Sequence, residues 1–311
     1  MNKKSPFIYI LLVLFVSTGC ATIKPRPGLV IPEDMPESAK IENVRVALVL
    51  GGGGSRGIAH VGVIEVLQEN FIPIDLIVGS SAGSAVGAIY ADNKDVTKTK
   101  NILFNANRDE LLDFSFIELT RMFNNPTTPV VGQAYENFIF DSLSARKFSE
   151  LKIPLAIVTV DSQTGEKFVI TSGPIAPAVR ASSAIPPIIA PVKLYHKTLF
   201  DGGVLEPVPV ATARQYNPKL IIAVDISNLP EKTKPKNVLD LTYKAMWLSY
   251  YELSRMQSNI ADIDIHPDLT GFGTFEDHRK EELYQLGREA ALKALPEIKS
   301  KLKKQKKKKV K

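Results

Sequence analysis

Residues 44–83 limit the possible folds more than any other stretch. An apolar run at 44–50 leads into Gly51-Gly52-Gly53-Gly54-Ser55-Arg56-Gly57, then into Ile58, Val61, Ile64 and Leu67 at helical spacing. A second apolar run at 74–78 ends in Gly79-Ser80-Ser81-Ala82-Gly83, and a small-residue helix follows through Tyr90. Short buried runs that pass through a glycine turn into a helix are the units of a parallel sheet. Two in succession bring both turns to the carboxyl edge, where open α/β sheets bind ligands. The expected class is therefore α/β, with a mainly parallel central sheet covered by helices.

Further apolar runs support this reading. Residues 154–160, 166–171, 192–195, 198–200, 220–226 and 263–265 read as strands, with a tight turn at His196-Lys197. Helices are expected at 174–181, 238–260 and 276–295. The aromatics Trp247, Tyr250 and Tyr251 of the long helix are expected to pack in the core. Residues 94–150 are polar-helical, broken by Pro126 and Pro129, and carry no chemical motif. They form either a wall over the site or a connector. The chain has 311 residues, 44% of them hydrophobic, enough for one large core. The catalytic core is placed at 44–226 and a helical extension on the same domain at 227–298.

The two ends differ from this middle. Residues 1–19 have lysines at the start, a short apolar segment and small residues before Cys20, the chain's one cysteine. This is a secretory signal too short for a confident membrane span. It resembles a bacterial lipoprotein signal, which implies acylation of Cys20, export and a membrane-anchored protein on the periplasmic side of the outer membrane. Ser17 stands where that pattern prefers Leu. Residues 20–43, with four prolines, read as a tether. The formal net charge is +6, and nine of the lysines lie in 299–311. That tail is expected to be disordered by self-repulsion, and either solvated or drawn to anionic lipid. Nucleic acid conflicts with export and is not expected as a partner.

The turn at Gly79–Gly83 is G-x-S-x-G, which places Ser81 on a sharp bend between strand and helix with its hydroxyl exposed. Glycine is needed at both flanks because the two backbones converge there. The first glycine loop has two readings. Gly52, Gly54 and Gly57 satisfy a dinucleotide fingerprint, but the acid at about the required distance, Asp75, precedes its strand rather than ending it. The alternative is an oxyanion hole: glycine amides at a helix N-terminus favour negative charge. A serine nucleophile needs a base. His60, His196, His266 and His278 lack a local signature, and chain order would suit His266 or His278 in a triad. Asp201, in the strand-end turn Asp201-Gly202-Gly203, is the sharper candidate.

The blocks GGGGSRG, GSSAG and DGG, in this order, resemble the patatin-like phospholipase family. Residues 181–187 and 190–192 resemble its sequence before the acidic motif. The similarity covers about 44–225. It implies a three-layer α/β/α fold and a Ser–Asp dyad without histidine. Ser81 would be the nucleophile, Asp201 the proton acceptor, and the amides of Gly52, Gly53 and Gly54 the oxyanion hole. Arg56, Gly57, Gly79, Gly83, Gly202 and Gly203 would support these motifs. No cofactor or metal is implied. The expected substrate is a phospholipid or another acyl-ester lipid, and the expected activity that of a membrane-anchored phospholipase or lysophospholipase. The alternatives are a triad esterase using His266 or His278 and a non-catalytic nucleotide-binding lipoprotein.

Overall fold

A computed structural model describes residues 23–115, 128–230, 234–276 and 278–308. Cys20, the signal segment and part of the proline break in the insert lie outside the described residues. One eight-stranded sheet is built from β1 (Val46–Leu50), β2 (Leu76–Ser80), β3 (Leu155–Asp161), β4 (Lys167–Ile170), β5 (Val192–Leu194), β6 (Lys197–Asp201), β7 (Leu220–Val224) and β8 (Ile263–Ile265). The order is β5-β6-β3-β2-β1-β7-β8, with β4 paired to β3. β1 pairs in parallel with β2 and β7, β2 with β3, and β7 with β8. The end made of β4, β5 and β6 is antiparallel.

Helices cover both faces: α1 (Ile58–Glu69), α2 (Ala82–Asn93), α3 (Val96–Asn105), α4 (Arg108–Leu111), α5 (Gln133–Ser142), α6 (Ile175–Ser182), α7 (Val210–Arg214), α8 (Val238–Ser258) and α9 (Lys280–Lys308). Alternation along β1 explains the layers. Val46, Leu48 and Leu50 enter a large core shared with α1, α2, α6 and α9. Ala47 and Val49 enter a smaller one with α7. Central strands buried on both faces read as continuous apolar runs, which is why they were visible in the sequence.

One detail of the sheet sets up the site. Ile157 and Val158 pair with β2 on one side and β4 on the other. Thr159 and Val160 pair with β4 and with β6. A strand has two edges, so β6 takes the edge that β2 vacates at Ser80. The end of β6, Asp201, is thereby carried to the end of β2, beside Ser81.

Three expectations are corrected. The hairpin turn is Tyr195-His196, whose φ values of 55° and 57° suit a tight turn, and Lys197 belongs to β6. The lysine-rich tail is helical through Lys308, not disordered. Ile298 is buried, Leu302 packs on the core, and Gln305 donates to the Lys219 carbonyl at 2.7 Å. These local contacts outweigh a repulsion that salt screens. Thirdly, Trp247, Tyr250 and Tyr251 do not enter the hydrophobic core: each is partly exposed. Tyr243, Trp247 and Tyr250 instead stack in a row, centroids 6.2 and 4.9 Å apart.

Candidate active site

The loops after β1 and β2 meet at the carboxyl edge. Ser81 joins β2 to α2 with φ 52° and ψ −123°, a conformation rarely adopted by a residue with a Cβ. Three contacts hold it there. Its amide donates to Ser182 Oγ at 2.9 Å, and Ser182 Oγ donates to the Val158 carbonyl at 2.7 Å. Its carbonyl accepts from Ser84 Oγ at 2.6 Å. The flanking glycines are sterically required. A Cβ on Gly79 would lie 2.6 Å from Ser84 Cα, and one on Gly83 would collide with the Leu50 carbonyl.

Asp201 is buried at the end of β6, near enough to the Ser81 hydroxyl for that group to pull its pKa down. Its Oδ1 also accepts from the Gly203 amide at 2.7 Å. Gly202 turns the chain where a Cβ would strike the Val158 carbonyl, and a Cβ on Gly203 would lie 3.0 Å from Asp201 Oδ1. Burial pushes the Asp201 carboxyl up to about 7, although the Ser81 hydroxyl and the Gly203 amide pull the other way. Desolvation thus outweighs them and makes this carboxylate a stronger base than a solvated one.

The glycine loop is fixed from three directions. The Gly51 amide donates to Val224 O at 3.0 Å, Gly52 to Pro207 O at 2.9 Å, and Ser55 to Thr274 O at 2.7 Å. The expectation that Gly52 helps to bind an oxyanion is therefore corrected: its N–H is already used. Gly53 and Gly54 remain as donor candidates, with the amides of Ala82 and Gly83 at the start of α2, whereas that of Ser84 is used by the Ser81 carbonyl. Gly54 has φ 61° and packs on Thr274, and Gly57 lies against Ala82. Arg56 is 1% exposed, donates to Asn228 Oδ1 and lies 4.9 Å from the Trp247 ring centroid. It ties the glycine loop to α8.

No histidine lines either cavity at Ser81. His60 is buried and its Nε2 meets the Gly51 carbonyl at 2.8 Å. Burial lowers its pKa to about 4, so it is neutral and supports the loop. His266 Nδ1 lies 2.9 Å from the Asp225 carbonyl, and the largely exposed His278 sits 3.2 Å from Glu276. This placement removes the geometric basis for the triad. Asp75 bonds the amides of Arg45 and Val46 at the amino edge, opposite the glycine loop, so it is not placed for a dinucleotide.

Ser81 lies where two apolar cavities meet. One, of about 180 Å³, is walled by Leu103, Leu112, Val130, Tyr135 and Phe138, so the 94–150 insert builds a side of the site. The other, of about 340 Å³, contains Asp201 and is bounded by Phe200, Val204, Met246, Trp247 and Tyr250. Tyr250 was missed as a site residue. Its hydroxyl fills the space where a Gly52 Cβ would stand, and burial raises its pKa well above 10. Ser182 was missed too. Its position in the 181–187 block was the available signal.

An elbow serine beside a buried acid, above a glycine loop at the edge of an α/β/α sheet, is the arrangement of the ester-hydrolase class. Within that class the chain belongs to the patatin-like phospholipase family, whose model matches residues 48–214. A lysophospholipase of Kluyveromyces lactis is 27% identical over 272 residues, covering 78% of this chain and 18% of that protein. Patatin-like phospholipase domain-containing protein 6 of Homo sapiens is 33% identical over 196 residues, covering 60% of this chain and 14% of that protein. The chain thus spans less than a fifth of the length of these curated relatives. The crystal structure of VipD from Legionella pneumophila has the same fold, with TM-score 0.54 and 14% identity, covering 92% of this chain and 73% of that one.

Proposed function

We propose that the protein is a lipid acyl hydrolase acting through a covalent acyl-enzyme on Ser81. Asp201 takes the hydroxyl proton as Ser81 attacks the carbonyl carbon of an ester. The resulting oxyanion is held by the amides of Gly53 and Gly54 and by the N-terminus of α2. Collapse releases the alcohol with the proton from Asp201. Water then attacks the acyl-serine as Asp201 takes its proton, and collapse breaks the bond to Ser81 Oγ, which recovers that proton from Asp201 as the fatty acid leaves. The observation that carries this reading is the placement of Ser81 beside the buried Asp201 carboxyl at the junction of two apolar cavities. Such walls suit an acyl chain rather than a nucleotide. The similarity to a lysophospholipase supports a phospholipid or lysophospholipid as the substrate class. The lipoprotein-like signal supports export and anchoring through Cys20.

Active-site labelling tests the proposal. The chain from Ala21 onward contains every element described above. Treated with a fluorophosphonate, it is expected to carry the adduct on Ser81 by mass spectrometry. Ser81→Ala should abolish labelling and Asp201→Asn should slow it by about 10²-fold or more. Folded protein that gives no adduct would return the glycine loop to the nucleotide-binding reading.

A further inference from the structure

Helix α8 is turned the unusual way round. Its residues Trp247, Tyr250 and Ser254 face the protein, whereas Val238, Leu241, Ala245 and Leu248 face outward and Tyr243, stacked on Trp247, is exposed at the border. Val238 is 76% exposed and Leu241 56%. This stripe, at i, i+3, i+7 and i+10, carries no charge before Glu252. A soluble helix normally has the reverse pattern, so the face needs a partner.

Further exposed apolar side chains, on α8 and just after β6, stand at the mouth of the site. Met246 and Val204 line the cavity that holds Ser81 and Asp201, and both are about half exposed. Leu229, also about half exposed, extends the patch towards the start of α8. Lys234, Lys236 and Lys244 stand beside it around a shallow groove, together with Asp240. Apolar side chains next to cations match the acyl boundary and headgroups of an anionic leaflet. A second copy of this chain seated here would cover the mouth instead of feeding it.

We infer that the outward face of α8, with Val204 and Leu229, is the surface on which the protein lies on an anionic phospholipid leaflet, with the Ser81 cavity opening onto it. This rests on the lipid hydrolase reading. It also orients the molecule. The end of α9 lies at the opposite, amino edge, where Lys301 donates to the Asp262 carbonyl and Gln305 to that of Lys219, just before β8 and β7. The lysine-rich end of α9 therefore points away from the leaflet.

The chain from Ala21 has no cysteine, so one label can be placed at will. An environment-sensitive fluorophore is attached at Leu241→Cys or at Lys303→Cys. Vesicles of phosphatidylethanolamine with phosphatidylglycerol are then added. The label at 241 should shift to the blue and become shielded from an aqueous quencher, and the label at 303 should not. Separately, Leu241→Asp with Leu248→Asp should weaken vesicle flotation by about tenfold or more. Hydrolysis of a short, monodisperse soluble ester should stay within about twofold of the unsubstituted chain, and fluorescence of the chain's one tryptophan should report intact packing. A shift at 303 but not 241, or unchanged flotation of the aspartate variant, would overturn the inference. So would a dimer in sedimentation that the same substitutions dissociate. Protein that binds vesicles through position 241 yet labels with no fluorophosphonate would sink the hydrolase reading and leave this surface standing.

Discussion

A carboxylate in water holds its proton only below about pH 3.9 and is a weak base towards a serine hydroxyl. Asp201 differs because its folded environment keeps it from water and raises its pKa to about 7. It acts as a base only when ionised. Acylation at subsaturating substrate is therefore expected to rise with pH and level off above about 7, a limb read from kcat/KM of a soluble ester. Stability should move the opposite way. Between pH 4 and 7 the unfolded chain has already released this proton and the folded chain has not, so unfolding becomes more favourable as pH rises. Asp201→Asn should remove that slope. In thermal unfolding it is expected to be the more stable protein above pH 7, with the difference shrinking towards pH 4. A variant less stable than the parent at pH 8 would contradict the buried carboxylate. The glycines give a second residue-scale prediction. Gly83→Ala places a Cβ against the Leu50 carbonyl, which is backbone and has no room to yield. A loss of about 1–3 kcal/mol or more is expected from chemical denaturation. Gly273→Ala, whose Cβ would meet only side-chain atoms at 3.7 Å or more, should cost little. The turns that carry Ser81, Gly83 and Asp201 could be placed from the sequence because each motif is local. The engagement of Gly52 could not, because its partner is Pro207. Ser182 was hidden for the same reason: its partners are Ser81 and Val158, 101 and 24 positions away.

At the scale of elements, α8 shows where periodicity stops informing. Tyr243, Trp247 and Tyr250 fall on one helix face, so a packed aromatic stripe could be foreseen. Its destination could not, because the opposite face is equally apolar and no pattern distinguishes core from site wall. The structure resolves this through Arg56. The buried guanidinium faces Trp247, donates to Asn228 and belongs to the glycine loop. Burial lowers its pKa to about 10, so it stays charged at neutral pH. Trp247→Ala removes both the stacking and the cation's neighbour. Expected consequences are about 3 kcal/mol of lost stability and slower fluorophosphonate labelling, because the loop loses its support. Trp247→Phe should recover most of the labelling rate. If Trp247→Ala labels as fast as the parent, α8 is only a cover. The central strands gave the opposite case. Their runs could be placed to within two residues, whereas the lysine-rich end of α9 was misread because charge density alone carried no sign of the contacts at Leu302 and Gln305.

At the scale of the molecule, substrate selection is distributed over segments far apart in sequence. The smaller cavity at Ser81 takes walls from α3, α5, the 185–189 turn and the start of α9. Lys280 closes part of it by donating to the carbonyls of Leu103, Phe104 and Ala106 at the end of α3. Glycines at the α1–α9 crossing fix that arrangement: a Cβ on Gly62 would strike the Tyr284 carbonyl, and one on Gly287 that of Ala59. α9 is thus held against α1 while its first turn finishes the cavity, so in the proposed reaction the fit of an acyl chain here would depend on the rigidity of the whole domain. Chain length should then be set by depth at this end. Ala106 lines the cavity, is not fully buried, and contributes only a methyl group. Ala106→Phe is expected to shorten the preferred acyl chain by several carbons. Each methylene denied burial forfeits about 0.8 kcal/mol of binding. Over a series of saturated esters, kcat/KM should fall for long chains while short esters and fluorophosphonate labelling keep the parent rates. An unchanged chain-length profile would place the acyl group in the other cavity, between Phe200 and α8, and assign the insert's cavity to the leaving group.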